Sequence, residues 1–137
     1  MDFKDFKYKG HRNSYTELNE IYFWTITISK WQHLLKPDDN KMIVMNSLQW
    51  LVQNGLVRIY GYVIMPHHIH LLWEQLKMKG KELPKNSFEK YTAKSLVNNM
   101  KAGNDPALKN YIVIATDRQH NIRLRDPLAI KILSLEI

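Results

Sequence analysis

Cysteine is absent from the 137 residues, which excludes a disulfide framework and any thiolate metal site. That usage fits a reducing compartment such as the cytoplasm. No apolar run approaches the roughly 20 residues that a membrane span needs, so no membrane partner is expected. The opening stretch, MDFKDFKYKGHRNSYTELNE, has mixed charge and no apolar segment, so no signal peptide is expected. Repeats and low-complexity tracts are also missing. What remains is a 45% hydrophobic chain with aromatics spread along it. That is enough to bury the core of a single domain over residues 1–137, with residues 1–20 as an N-terminal extension.

Acidic residues are too few to balance the basic ones. The net charge is +7 and the pI about 9.6. Residues 1–68 carry 8 Lys/Arg against 6 Asp/Glu, and residues 69–137 carry 12 against 7, so the excess sits in the second half. Such a surplus favours polyanions, nucleic acid being the commonest. A merely soluble basic protein is the plainer explanation.

IYFWTITIS (21–29) is β-branched and aromatic with a period of two, and predicts a strand. In KPDDNKMIVMNSLQWLVQNGL, Asp38 or Asp39 can cap a helix. Val44, Leu48, Leu51 and Val52 make its apolar stripe, and Asn54-Gly55 closes it. VRIYGYVIM (57–65) and HIHLLWEQ (68–75) predict two strands joined by a tight Pro66-His67 turn. A basic loop over 76–86 follows. A second helix then starts near Asn86, with Glu89 as capping-box partner, and ends by Gly103. A fourth strand would complete an α+β fold, the ferredoxin-like split βαβ sandwich, with an antiparallel sheet and helices on one face. NYIVIATD (110–117) and HNIRLRD (120–126) compete for that place. PLAIKILSLEI reads as the start of a C-terminal helix cut short.

In MPHHIHLLW (65–73), strand alternation puts His68 and His70 on one face and Ile69, Leu71 and Trp73 on the other, towards the core. Two imidazoles so placed can share a cation if a third ligand comes from elsewhere. His67 sits in the turn, off that register. The bland alternative is a half-exposed sheet face that tolerates histidine.

YGYVIMPHHIHLLWEQ resembles the signature of the tyrosine HUH transposases, where a His-hydrophobic-His strand follows a hairpin commonly written Met-Pro-Asn-His. The likeness is strongest to the REP-associated branch of these single-strand enzymes. IYFWTITIS and SLQWLVQNGLVRIYGYVIM resemble the family's first strand, helix and second strand. GKELPKNSFEKYTAKSL and RDPLAIKILSLE resemble its downstream segments. The resemblance implies that His68 and His70 are catalytic through a bound Mg²⁺ or Mn²⁺. A polar group from a later helix would complete the site. The cation would polarise a phosphodiester of single-stranded or hairpin DNA, which a tyrosine attacks to give a phosphotyrosyl intermediate in DNA transposition. His67 stands where the family has Asn and is not counted as a ligand.

Two features of the family pattern are missing. Its nucleophile helix reads roughly Tyr-Ile-His-x-Asn-Pro-Val, and this chain reaches Ile137 about where that helix should begin. The later tyrosines, Tyr91 and Tyr111, are expected in the core or on a strand. An aromatic pair expected before RDPLA is also replaced, by Arg123-Leu124 or their neighbours. The resemblance thus implies a transposase-like domain whose chain lacks its cutting tyrosine.

Lys77, Lys79, Lys81 and Lys85 crowd the loop after the histidine strand, and Lys90, Lys94 and Lys101 share one side of the next helix. With Arg118, Arg123 and Arg125 they form either a solvated face or a track for DNA phosphates. Trp31 and Trp50 could stack on bases, though core packing is the expectation for both. Two other readings stand beside the transposase: a non-catalytic nucleic-acid-binding module on the same scaffold, and an inactive remnant. A homodimer is favoured because a truncated helix would leave sheet surface uncovered.

Overall fold

A computed structural model describes residues 15–28, 33–103, 113–115, 118–120 and 124–132. Its elements run β1 (Ile21–Ile28), α1 (Asp38–Gln53), β2 (Val57–Met65), β3 (His68–Gln75), α2 (Pro84–Ala102), β4 (Val113–Ala115), β5 (Arg118–His120) and β6 (Leu124–Lys131). β2, β3, β1 and β6 form one sheet in that order, with every neighbouring pair antiparallel. This is the strand order of a ferredoxin-like split βαβ sandwich, as the pattern of elements predicted.

The two candidates for the fourth strand part company. Val113–Ala115 pairs only with Arg118–His120, in a separate two-stranded ribbon. The sheet strand is β6, which begins inside HNIRLRD and continues through PLAIK. This corrects the expectation of a cut-short helix beginning at Pro127, while residues 133–137 lie outside the described residues. Proline lacks an N–H and is tolerated in edge strands and bulges. Pro127 has both, because the register against β1 shifts between Thr25, opposite Leu128, and Thr27, opposite Arg125. Asp126 and Pro127 thus face the single residue Ile26, the two-to-one arrangement of a bulge.

α1 starts after Pro37, and neither aspartate caps it through its side chain; Asp38 and Asp39 instead occupy the first turn, where the helix dipole favours negative charge. Its buried stripe is Asn40, Val44, Ser47, Leu48 and Leu51. Val52 is not part of it, being 45% exposed, because one further residue rotates past the edge of the stripe. The closure at Asn54-Gly55 is as expected. Gly55 adopts a left-handed φ of 68°, its N–H donates to Val52 O, and the Leu56 N–H donates back to Leu51 O. Those two bonds make a Schellman motif, with Leu56 and Leu51 both buried.

α2 starts at Pro84, two residues before the expected Asn86, and no side chain of its own caps it. A capping box through Glu89 is therefore not formed. The cap comes from the sheet. Gln75, fully buried at the end of β3, accepts the Lys85 N–H at 2.9 Å and donates through Nε2 to Thr16 Oγ1 at 2.9 Å. Both helices lie on one face of the sheet. There Trp24 and Trp73 stack at 4.7 Å with their planes 4° apart, and Phe88 meets Trp24 edge-on. Val44, Leu48, Leu51, Leu96, Val97 and Met100 complete the core from the helices.

Candidate functional site

β3 alternates strictly, buried at Ile69, Leu71, Trp73 and Gln75 and half-buried at His68, His70, Leu72 and Glu74. The histidines therefore project from the sheet face opposite the two helices. β1 supplies the flanking wall, since Thr25 is opposite His70 and Thr27 opposite His68. On the other side β2 places Val63 opposite His70 and Met65 opposite His68.

The two rings meet, with centroids 4.7 Å apart and planes 71° to each other. His70 stacks on Phe23 at 5.3 Å and its Nδ1 lies 3.0 Å from Thr25 Oγ1. His68 Nδ1 lies 2.8 Å from Nδ1 of His67, whose ring in turn stacks on His33 at 5.3 Å. The hairpin is pinned in place by Ile28 N–H donating to His67 O and Leu35 N–H donating to Pro66 O. Each Nδ1 is thus engaged, and among the described residues neither Nε2 has a hydrogen-bond partner. Thr25 Oγ1 and His67 Nδ1 can each donate or accept, so both tautomers satisfy these contacts; in the tautomer whose Nδ1–H donates, Nε2 presents its lone pair to a ligand.

Thr25, 3.0 Å from His70 Nδ1, is the neighbour of the pair that sequence reading did not single out. The signal was present, because Phe23, Thr25 and Thr27 alternate with Trp24, Ile26 and Ile28. It acquires meaning only once β1 is known to neighbour β3.

Burial depresses the pKa of both imidazoles, and the neighbouring charges of His70 and His67 depress that of His68 further. In the unfolded chain both titrate near 6.5. Acid therefore protonates the unfolded chain first, and stability present above pH 6.5 is lost as pH falls through the depressed values. In EDTA, melting temperature should fall between pH 7.5 and 5. The His68→Ala/His70→Ala double variant should lose less over that range; an equal loss would assign the acid sensitivity to other groups.

Imidazole nitrogens are ordinarily ligands of Zn²⁺, Cu²⁺, Fe²⁺ and Ni²⁺, whereas Mg²⁺ and Mn²⁺ are held mainly by oxygen, so either of the latter would need oxygen ligands beside the pair. Among the described residues no group of three or more His, Cys, Asp or Glu side chains is arranged to hold a metal. The pair therefore fits a cation as only part of its shell, two positions of the octahedron that Mg²⁺ or Mn²⁺ takes. Water, phosphate oxygens or groups beyond the described residues would supply the remainder.

The basic residues lie elsewhere. Lys77, Lys79 and Lys81 are exposed on the loop beyond the far end of β3, and Lys90, Lys94 and Lys101 are exposed on α2. All of α2 is on the side of the sheet away from the histidines. Lys90 is paired with Glu82 at 2.7 Å. Lys85 is a correction: it belongs to the first turn of α2, not to the loop, and is buried at 7% exposure, so its side chain is not an open phosphate contact. Arg123 and Trp31 lie outside the described residues, as do the side chains of Arg118 and Arg125.

The tyrosines also depart from expectation. Tyr91 and Trp50, expected in the core, are 61% and 46% exposed. Tyr91 is on α2, across the sheet from the imidazoles. Tyr60 donates to Glu74 Oε1 at 2.9 Å, at the other end of β3 from His68. Tyr111 lies outside the described residues.

No family model matches the sequence, and no curated protein matches it. Among solved structures the chain is similar to the REP-associated tyrosine transposase bound to a REP hairpin, with 13% identity and a TM-score of 0.45. The similarity covers 83% of this chain and 59% of that chain, so less than two thirds of that protein's length is represented. Among the described residues no helix is long and apolar enough to cross a membrane.

Proposed function

We propose that this chain is a DNA-binding domain of the single-strand transposase type, in which His68 and His70 hold Mg²⁺ or Mn²⁺ against a phosphodiester of single-stranded or hairpin DNA. The observation that carries this reading is the pair of adjoining imidazoles on one face of β3. Each is fixed through Nδ1, with its Nε2 left for a ligand. A cation bound there would withdraw charge from the phosphate. Thr25 orients His70, His67 orients His68, and Phe23 limits the swing of the His70 ring. The resemblance of YGYVIMPHHIHLLWEQ to the HUH signature supports the same assignment. Among the described tyrosines, Tyr15 contacts Glu17, Tyr60 contacts Glu74 and Tyr91 is on α2. Tyr22 and Tyr62 lie opposite Trp73 and Leu71 on the other sheet face, so strand cleavage calls for a tyrosine from beyond the described residues or from a second protein.

A metal-independent nucleic-acid-binding module is the second reading, favoured by the exposed lysines that lie away from the histidines. Incubating the full chain with a labelled single-stranded hairpin, in Mn²⁺ or in EDTA, separates the two. The first reading expects binding that strengthens with Mn²⁺ and, where a tyrosine is supplied, a covalent DNA adduct. Salt-sensitive binding indifferent to EDTA would move the assignment to the second. No retention of DNA at about 50 mM salt, where phosphate contacts are strong, would remove both.

A further inference from the structure

On the helix layer, away from the histidines, the ends of α1 and α2 and the basic loop enclose a slot of about 200 Å³. Trp50 and Tyr91 line it with Phe88 below, and Ser47, Ser87 and Lys79 supply its polar atoms. Both Trp50 and Tyr91 expose large parts of their rings, at 46% and 61%. Aromatic rings are ordinarily drawn into the core, and here two open onto one cleft. Lys79 Nζ lies 4.9 Å from the centre of the Trp50 ring and 3.0 Å from Ser87 Oγ. Among the described residues no carboxylate lines the slot, and Lys77 and Lys81 are exposed on the same loop as Lys79.

We infer that this slot binds an unpaired nucleobase of single-stranded DNA, stacked on Trp50 and Tyr91, with the adjoining phosphate at Lys79. The inference rests on the DNA reading above and adds a second contact on the far side of the sheet. Three features select the occupant. Exposed aromatic rings accept any base through its π-face. A lysine at the same opening supplies charge of the sign a phosphate needs. Ser47 Oγ accepts from Thr92 and Ser87 Oγ from Lys79, and each hydroxyl keeps its own hydrogen to donate to an acceptor on a base edge, which an aliphatic side chain would leave unpaired. Entry exchanges the Lys79 contact with Trp50, worth roughly two- to fivefold in affinity at an exposed site, for base stacking worth roughly five- to a hundredfold. The exchange favours the nucleotide.

The test uses the full chain, thymidine and adenosine oligonucleotides, and fluorescence anisotropy. Trp50→Ala and Tyr91→Ala should each weaken binding of single-stranded DNA at least fivefold, and Trp50→Phe should restore most of the loss. Lys79→Gln should reduce the salt dependence by about one phosphate contact. Of the four tryptophans Trp24 and Trp73 are buried, so in a Trp31→Phe background the quenching of tryptophan emission by the oligonucleotide should shrink on adding Trp50→Phe. Full affinity in both alanine variants, with binding still impaired by His68→Ala, would overturn the slot and leave the DNA reading standing. Absence of any binding by the unmodified chain would overturn both. Tighter binding of the matching oligoribonucleotide, lost in the same variants, would overturn the assignment to DNA in favour of RNA.

Discussion

Mn²⁺ binding should weaken by more than tenfold when His70 is replaced by alanine. The pair offers two imidazole nitrogens from one strand face, and removing one leaves a lone histidine, which the unfolded chain offers equally well. His68→Ala should behave alike. Thr25→Val gives a sharper test, because it keeps the β-branched shape that suits β1 and removes only the hydroxyl 3.0 Å from His70 Nδ1. The imidazole then loses the hydrogen-bond partner that holds its orientation. Loss of such a partner typically costs about 10- to 100-fold in metal affinity. Titration of Mn²⁺ followed by the spin-resonance signal of the free ion reads all three variants. Unchanged affinity in both histidine variants would remove the pair as a metal site. A loss in His70→Ala but not in Thr25→Val would keep the site and reduce Thr25 to a packing residue.

Trp73→Ala is expected to destabilise the fold by about 3–5 kcal/mol, the usual cost of emptying a large aromatic site. For a single small domain that is a large share of a total of roughly 5–15 kcal/mol. Trp73 is fully buried and stacked on Trp24, which in turn meets Phe88. The hole would therefore open beside the aromatic cluster that joins the sheet to α2. Among the described residues the indole nitrogens of Trp24 and Trp73 are nonetheless buried without hydrogen-bond partners, and an unpaired donor costs about 1–3 kcal/mol. Trp73→Phe discards that donor while keeping most of the stack, so its loss should be well under half that of alanine. Urea denaturation of the three proteins checks the ordering. Equal losses for alanine and phenylalanine would mean that the shape of the indole, not its apolar area, holds the core.

Between Ile21 and Gly103 the order of elements was legible because local signals agreed: period two in IYFWTITIS and HIHLLWEQ, a helical stripe from Val44 to Leu51, and glycine where α1 must turn left-handed. The fourth strand was not legible, since proline argues against a strand until a bulge in a partner strand gives it a place. The start of α2 was misplaced because its cap is supplied by Gln75, a strand residue ten positions earlier. No local motif encodes such a contact. Lys85 looked like part of a charged run, and only the early start of the helix turns it inward. The histidine pair itself was readable from strand alternation alone. Its support from Thr25 depends on pairing across 45 residues.

The surfaces on the two sides of β3 answer to one another. Side chains alternate with a period of two, so a slip of one residue against β1 would drive His68 and His70 into the helix-covered side and turn Ile69, Leu71 and Trp73 outward. Two imidazoles in an apolar interior and an indole in water are both costly, and they arise together. The histidine pair thus acts as negative evidence against the wrong pairing, and the core acts as a proofreader of the pair. A molecule able to gather the two histidines has, by that fact, already threaded its central strand correctly.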